Sequence, residues 1–102
     1  MSETLSKESS ARSGRIRIDD RPKHLATRLE RGEIAVINVA DLDRESAAAL
    51  VAAGPVAVLN AQPSLTGRAA ALGPRLILEA GIVLVDDLGQ DIMSLREGQE
   101  VT

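Results

Sequence analysis

Three short apolar runs separated by helix-length segments constrain the fold of this chain more than any other feature. The runs are residues 33–38, 56–59 and 82–85. Each is nearly free of polar residues and short, as expected of a strand covered on both faces. Segments of helical composition lie between them, which predicts a parallel sheet with right-handed crossovers. The predicted fold class is therefore α/β, a small, mainly parallel sheet flanked by helices.

Helix and strand signals complete this outline. The predicted helices are residues 23–31, ended by Gly32; 46–53, ended by Gly54-Pro55; and 73–80, which begins at Gly73-Pro74. Basic and apolar residues alternate over 15–18, which is typical of a half-buried strand with arginines on its wet face. A short helical turn over 91–95 and a strand beginning at Glu100 close the chain. The terminal strands extend the sheet or form a small second one.

The chain divides into a leader and one domain. Residues 1–13 are rich in Ser, Lys and Glu and have no periodicity, so we interpret them as a disordered N-terminal leader. Residues 14–102 are long enough for a single core, and we expect one α/β domain there.

Composition excludes several classes of site. The chain has no cysteine and no aromatic residue, so thiol nucleophiles, zinc–thiolate sites and base-stacking platforms are absent. Seven of the twelve Lys and Arg residues lie between Arg12 and Arg31, whereas ten acids oppose four arginines from Glu33 onward. That acidic remainder argues against a nucleic-acid partner. With no bilayer-length apolar run and no signal-peptide pattern, we expect a cytoplasmic segment without direct membrane contact.

The most constrained polar stretch runs from Asn60 to Pro74 between two apolar runs. Its candidate ligand, anion or docking residues are Asn60, Ser64, Thr66, Gly67 and Arg68. The hydroxyls, the Gly67 N–H and the Arg68 guanidinium can converge on a phosphate or carboxylate. Alternatively, Asn60 and Ser64 make local turn bonds and Arg68 pairs with an Asp, or the loop docks a neighbouring domain.

Three further groups admit a functional and a structural interpretation. Five aspartates near strand ends can supply oxygen ligands for Mg²⁺, or they are helix caps and turn formers: Asp41, Asp43, Asp86, Asp87 and Asp91. His24 lacks a nucleophile or second histidine and is interpreted as a surface residue. Six basic residues form what we call the basic strip: Arg15, Arg17, Arg21, Lys23, Arg28 and Arg31. We interpret this strip as a solvated face or an interdomain contact rather than as a nucleic-acid groove. We predict no catalytic residue, no metal site and no cofactor in this domain.

Blocks of sequence from Gly32 to Asp87 resemble the N-terminal domain of the SteA family of actinobacterial proteins. The blocks are 32–37, Asp41-Leu42-Asp43-Arg44, 48–54, 60–68, Leu72-Gly73-Pro74, Ala80-Gly81-Ile82 and Asp86-Asp87. These proteins are often described as cytokinetic ring or thiamin pyrophosphokinase-like proteins. Where the family tends to have Gly-Arg-Tyr-Pro-Asn-Leu-Gly, this chain has Gly67-Arg68-Ala69-Ala70-Ala71-Leu72-Gly73, so it lacks the Tyr and Asn side chains.

The resemblance implies that this chain is the N-terminal part of a longer protein. A thiamin-pyrophosphokinase-like domain would follow, and ATP and Mg²⁺ would belong to that domain. The family is associated with septum formation and cell separation, and it acts with a coiled-coil membrane partner to control peptidoglycan hydrolysis. The resemblance thus places the full-length protein at the membrane or septum.

A second resemblance concerns the fold. The order of elements and the stretch from Leu95 to Thr102 are similar to the swivelling β/β/α domain of phosphoenolpyruvate-utilising enzymes. A phosphorylated histidine of that domain would fall near Gly67 or Arg68, where this chain has no histidine.

Two functional hypotheses follow. The first is a non-catalytic regulatory or docking domain of a SteA-like cell-division protein. The alternative is a small-ligand or phosphate-binding module that assists a nucleotide or thiamin kinase-like domain. An autonomous enzyme is disfavoured because no base–nucleophile pair is visible. The apolar strands without aromatic anchors are compatible with a monomer or a homodimer.

Overall fold

A five-stranded sheet with three α-helices forms the domain in the computed structural model, which describes residues 14–64 and 72–101. The strands are β1 (Gly14–Ile18), β2 (Ile34–Ile37), β3 (Ala57–Asn60), β4 (Val83–Val85) and β5 (Glu100–Val101). The helices are α1 (Pro22–Ala26), α2 (Arg44–Ala53) and α3 (Gly73–Glu79), with a 3₁₀ helix, η1, at Gln90–Ser94. The sheet order is β4-β3-β2-β1-β5.

Four of the strands are parallel. β1 pairs with β2, β2 with β3 and β3 with β4 in parallel, and β5 adds to β1 in the antiparallel sense. Successive parallel strands are neighbours, so right-handed crossovers place all three α-helices on the same face of the sheet. The predicted α/β class, with a mainly parallel sheet flanked by helices, is confirmed, and the terminal strands extend that sheet.

Alternating side chains of the strands build a core on each face. On the helix face, defined here as the side that carries α1 to α3, Ala35, Ile37 and Val58 pack against helix residues such as Leu50 and Ile77. On the opposite face, here the second face, the core members are Ile16, Ile34, Val36 and Ala57, with Ile92 and Met93 of η1 packed against them. The second face therefore has a thinner cover than the helix face.

Two glycines fix how the helices end and begin. Gly54 has a φ of 79° at the carboxyl end of α2, a left-handed conformation that glycine adopts at little cost. Gly73 begins α3 so close to α2 that an added Cβ would lie 2.5 Å from the carbonyl oxygen of Leu42. The sequence signals Gly54-Pro55 and Gly73-Pro74 thus mark real helix boundaries.

The first helix is shorter than the predicted range 23–31. It ends at Ala26, and the Thr27 hydroxyl donates a hydrogen bond to the carbonyl oxygen of His24 at 2.7 Å. Side-chain bonding of this kind competes with regular helix bonding and favours a turn. Leu25 and Leu29 nevertheless lie in the same core cluster, as their spacing predicts.

The last apolar run is less buried than predicted. β2 is buried throughout, whereas β4 is only half-buried and its Val85 is 38% exposed. β4 lies at the edge of the sheet and η1 covers only part of the second face, so the strand has neighbours on fewer sides. An apolar run alone does not distinguish an edge strand from a central one.

Candidate recognition site at the carboxyl edge of the sheet

Polar residues collect where the parallel strands end. Asp19 follows β1, Asn38 follows β2, Asn60 ends β3 and Asp86 follows β4. Because the carboxyl ends of parallel strands share one edge, these residues lie along the same side of the sheet, where α/β proteins bind ligands. The predicted convergence of the strand ends is therefore present.

Asn60 joins the ends of two strands. Its side chain is fully buried, and its Nδ2 donates to the carbonyl oxygen of Val39 at 2.8 Å and to Ser64 Oγ at 2.7 Å. Its Oδ1 accepts from the backbone N–H of Val39 at 3.0 Å and of Gln62 at 3.2 Å. One carboxamide thereby satisfies partly buried backbone groups in the connections after β2 and after β3.

Ser64 links this network to the end of β4. It is fully buried; its hydroxyl donates to Asp86 Oδ1 at 2.5 Å, and its backbone N–H donates to Asp86 Oδ2 at 3.1 Å. Both carboxylate oxygens of Asp86 therefore hold residue 64. The polar atoms of Asn60 and Ser64 are occupied within the protein, so in this structure these two side chains position the chain. Direct ligand contact by either one stays a prediction.

The described residues on either side of 65–71 meet at Leu42. The backbone N–H of Leu42 donates to the carbonyl oxygen of Ser64 at 2.9 Å, and the N–H of Gly73 donates to the carbonyl oxygen of Leu42 at 3.1 Å. Leu42 itself is fully buried, so this junction is anchored in the core. The predicted site residues Thr66, Gly67 and Arg68 lie outside the described residues.

A second polar group stands beside the first. Asn38 Oδ1 accepts from Gln62 Nε2 at 2.8 Å and from Gln90 Nε2 at 2.9 Å, and Asn38 Nδ2 donates to Gln90 Oε1 at 3.0 Å. Gln62 and Gln90 were not among the predicted site residues. Gln62 could have been found from its place two residues after a strand end, whereas no local signal pairs Gln90 with Asn38 across 52 positions.

The five aspartates considered for Mg²⁺ take separate structural positions. Asp41 and Asp87 have φ angles of 53° and 55°, a left-handed conformation that Asp tolerates in turns. Asp43 is the N-cap residue of α2, and Asp86 bonds to Ser64. Within residues 14–64 and 72–101, no group of three or more His, Asp or Glu side chains is arranged to hold a metal ion.

Carboxylates neutralise much of the basic strip. Arg17 pairs with Glu33 at 2.9 Å, Lys23 with Glu45 at 3.0 Å and Arg28 with Glu97 at 2.8 Å. Each of these basic residues contributes less to the long-range positive potential than an unpaired one would. We therefore interpret the strip as a structural and solvated face.

Glu97 pairs with Arg28 and, at 3.7 Å, with Arg17. Both of its carboxylate oxygens accept hydrogen bonds from Arg28, and Oε1 also accepts from the backbone N–H of Ile18 at 3.0 Å. The hydrogen bonds from Arg28, then that from Ile18, lower the pKa of Glu97 to about 2. These hydrogen bonds hold the turn before β5 against the end of β1.

His24 Nδ1 is hydrogen-bonded to the carboxylate of Asp19, and the His24 side chain is half exposed. Partial burial raises the pKa of Asp19. Hydrogen bonds from His24 and from the backbone N–H of Arg21 outweigh that effect and leave the pKa below its ordinary value. The histidine is a surface residue, as predicted from the sequence.

A groove of about 170 Å³ lies between α2 and α3 near this edge. Its lining residues are Arg44, Leu72, Arg75, Leu76 and Glu79. Arg75 pairs with Glu79 one turn along α3 at 2.9 Å. The groove thus combines apolar leucines with two guanidinium groups beside the junction at Leu42.

Comparison of the chain with protein-family models, with curated proteins and with solved structures finds no match. In the part of the chain that the structure describes, no helix has the length and hydrophobicity needed to cross a bilayer.

Proposed function

We propose that this chain is a non-catalytic regulatory or docking domain of a SteA-like protein that acts in cell division and cell separation. In that role it precedes a thiamin-pyrophosphokinase-like domain, which would carry any ATP and Mg²⁺. The docking partners would be that domain and a coiled-coil membrane protein, which would bring the cytoplasmic chain to the septum. The proposal rests on the sequence blocks from Gly32 to Asp87 and on the geometry of the carboxyl edge.

The observation that carries the docking role is the closed network around Asn60. Buried side chains of Asn60 and Ser64 direct their polar atoms inward, and Leu42 joins the two flanks of residues 65–71. An anchored stem at a sheet edge is how rigid scaffolds present binding loops. The residues that we propose to contact the docked domain are then Thr66, Gly67 and Arg68, which lie between the two flanks in sequence.

The finer fold likeness to the swivelling β/β/α domain belongs to the same proposal. A parallel sheet with helices on one face and an antiparallel strand at its end supports it. The absence of histidine near Gly67 in the sequence separates this chain from phosphoryl transfer through that loop.

A small-ligand or phosphate-binding module is the second candidate. Arg44 and Arg75 border the groove between α2 and α3, and Arg68 lies between them in sequence. Guanidinium groups bind phosphates and carboxylates through paired hydrogen bonds. Because Arg75 is already paired with Glu79, this candidate relies on Arg44 and on Arg68 to hold an anion.

Thermal unfolding in the presence of nucleotides, thiamin derivatives and sugar phosphates separates the two candidates. A ligand that binds only the folded chain raises the melting temperature. The docking role predicts no response to any of these compounds. A rise that Arg68→Ala abolishes and Arg96→Ala preserves would replace docking with ligand binding, because Arg96 lies outside the loop and the groove.

A further inference from the structure

The outer edge of β4 is the strongest unassigned feature of the molecule. β4 is the last strand of the described sheet and pairs only with β3. The backbone N–H of Val83 donates to the carbonyl oxygen of Val56 at 3.3 Å. Since main-chain groups alternate sides along a parallel pair, the N–H and C=O of Leu84 point away from β3. Within the described sheet, Leu84 therefore offers an unpaired donor and acceptor.

This edge carries no lysine, proline or bulge, and its one protection within the strand is a length of three residues. Natural edge strands carry lysine, proline or a bulge that blocks the approach of another strand. Residues 81–88 contain no lysine and no proline, and the register from Ala57↔Val83 to Leu59↔Val85 is continuous. Val85 and Leu88 expose 38% and 40% of their surface beside the strand. An added strand would cover apolar side chains as well as satisfy main-chain groups.

The charge around β4 selects the partner. Residues 76–95 contain four acids and no lysine, arginine or histidine; Glu79 is paired with Arg75, which leaves Asp86, Asp87 and Asp91 as the acids near β4. The Asp86 carboxylate is held by Ser64, and Asp87 is exposed beside it. A basic partner is attracted to this end of the sheet, and an acidic one is repelled. A second copy of this strand would instead bring its own aspartates to the contact.

We propose that the open edge of β4 binds an extended peptide segment of alternating basic and apolar residues from a partner protein. The segment adds as a strand, exchanges main-chain hydrogen bonds with Leu84 and places apolar side chains beside Val83 and Val85. Its basic side chains approach Asp87. The inference rests on the main chain of β4 and on Asp87 and does not use Thr66, Gly67 or Arg68, so it stands whether or not the proposed function holds.

Hydrogen exchange with a defined peptide tests this inference. The probe is an acetylated, amidated peptide of alternating lysine and valine, and its control replaces every lysine by glutamate. We expect the lysine peptide to slow exchange of the Leu84 amide, with weaker binding at high salt. The glutamate peptide should leave that amide unchanged. Slowing at other amides only, or equal effects of the two peptides, would overturn the proposal.

Three variants make the test more specific. Val85→Lys introduces a protecting charge and removes an apolar contact worth roughly tenfold in affinity, so it should abolish the effect at Leu84. Val85→Thr keeps the β-branched shape and should bind the lysine peptide severalfold more tightly than Val85→Lys does. Asp87→Asn tolerates the left-handed backbone and should reduce the salt dependence of binding. Circular dichroism and thermal unfolding check that each variant is folded.

Hydrogen exchange of the chain without any peptide gives a further test of the proposal. If the Leu84 amide already exchanges slowly without peptide, the edge is covered and the proposal is wrong. Slowing that increases with protein concentration would then identify a second copy as the occupant. Slowing independent of concentration would identify another part of this chain, including residues 1–13.

Discussion

Asn60 shows how one buried residue can connect two strand ends. Its carboxamide bonds to both backbone groups of Val39, to the N–H of Gln62 and to Ser64 Oγ. Only an amide of this length can donate and accept in these directions at once. Its position at a strand end was visible in the sequence, but the burial of its polar atoms was not, because that depends on the neighbouring connection after β2.

Asn60→Ala should lower the free energy of unfolding by roughly 2–3 kcal/mol, because it leaves the buried Ser64 hydroxyl and several partly buried backbone groups without this partner. Urea unfolding measures the change. Asn38→Ala is the matched control. The Asn38 side chain bonds to the more accessible side chains of Gln62 and Gln90, so its removal should lower the free energy of unfolding by only about 1 kcal/mol. Equal losses for the two variants would show that the buried network does not stabilise the edge.

Two glycines at the ends of α3 allow two causes of strain to be compared at the residue scale, a steric clash and a left-handed backbone. Gly73→Ala meets backbone oxygens of Leu42 and Asp43 at 2.5 and 2.7 Å, a clash that costs roughly 3 kcal/mol. Gly81→Ala meets no atom within 4 Å but has a φ of 80°, which costs roughly 1 kcal/mol. Urea midpoints of the two variants should fall in that order. The reverse order would mean that α3 is not packed tightly against α2.

At the scale of elements, the turn before β5 is held by charge. Glu97 accepts hydrogen bonds from Arg28 across 69 positions, and Gly98 N–H donates to the carbonyl oxygen of Ile16 at 2.8 Å. The basic strip and the acidic remainder of the chain from Glu33 onward were visible in the sequence as separate features. Their pairing was not predictable, because it depends on β5 returning beside β1.

Glu97→Gln should destabilise the protein in a pH-dependent way. The folded-state pKa of about 2 lies below the ordinary value of 4.5, so the stabilisation is complete above about pH 5 and is lost as the pH falls towards 2. Since Glu97 is 38% exposed, solvent screening limits the effect at pH 7 to roughly 1–2 kcal/mol.

Urea unfolding at pH 7 and pH 3 checks this prediction. The difference in unfolding free energy between wild type and Glu97→Gln should shrink at the lower pH. Glu79→Gln serves as the control, because its pair with Arg75 is well exposed and should contribute less than about 0.5 kcal/mol at either pH. A Glu97→Gln effect that is constant with pH would contradict the assigned ion pair.

At the scale of the whole molecule, the hydrophobic pattern and the turn residues were sufficient to predict the α/β class and the order of the elements. The apolar runs became β2, β3 and β4, and Gly54-Pro55 and Gly73-Pro74 fixed the helix boundaries in the right places. Local signals could not give the exposure of β4, since an edge strand and a central strand have the same composition here. They also could not give the side-chain networks, which join residues far apart in the chain.

The candidate site was predictable in location and less so in detail. Parallel strands require that Asn38, Asn60 and Asp86 share an edge, and the structure places them there. The inward orientation of Ser64 follows from its bonds to Asp86, a contact between two connections that no sequence period reveals. The docking role of residues 66–68 is a proposal that a binding measurement tests.

The most direct measurement of the central claim is a titration of the isotope-labelled chain with the thiamin-pyrophosphokinase-like domain that the proposal places after it, followed by amide NMR. The docking role predicts saturable shifts at residues 60–73, which Arg68→Ala weakens and Arg96→Ala preserves. Absence of binding, or shifts confined to surfaces away from the carboxyl edge of the sheet, would contradict it.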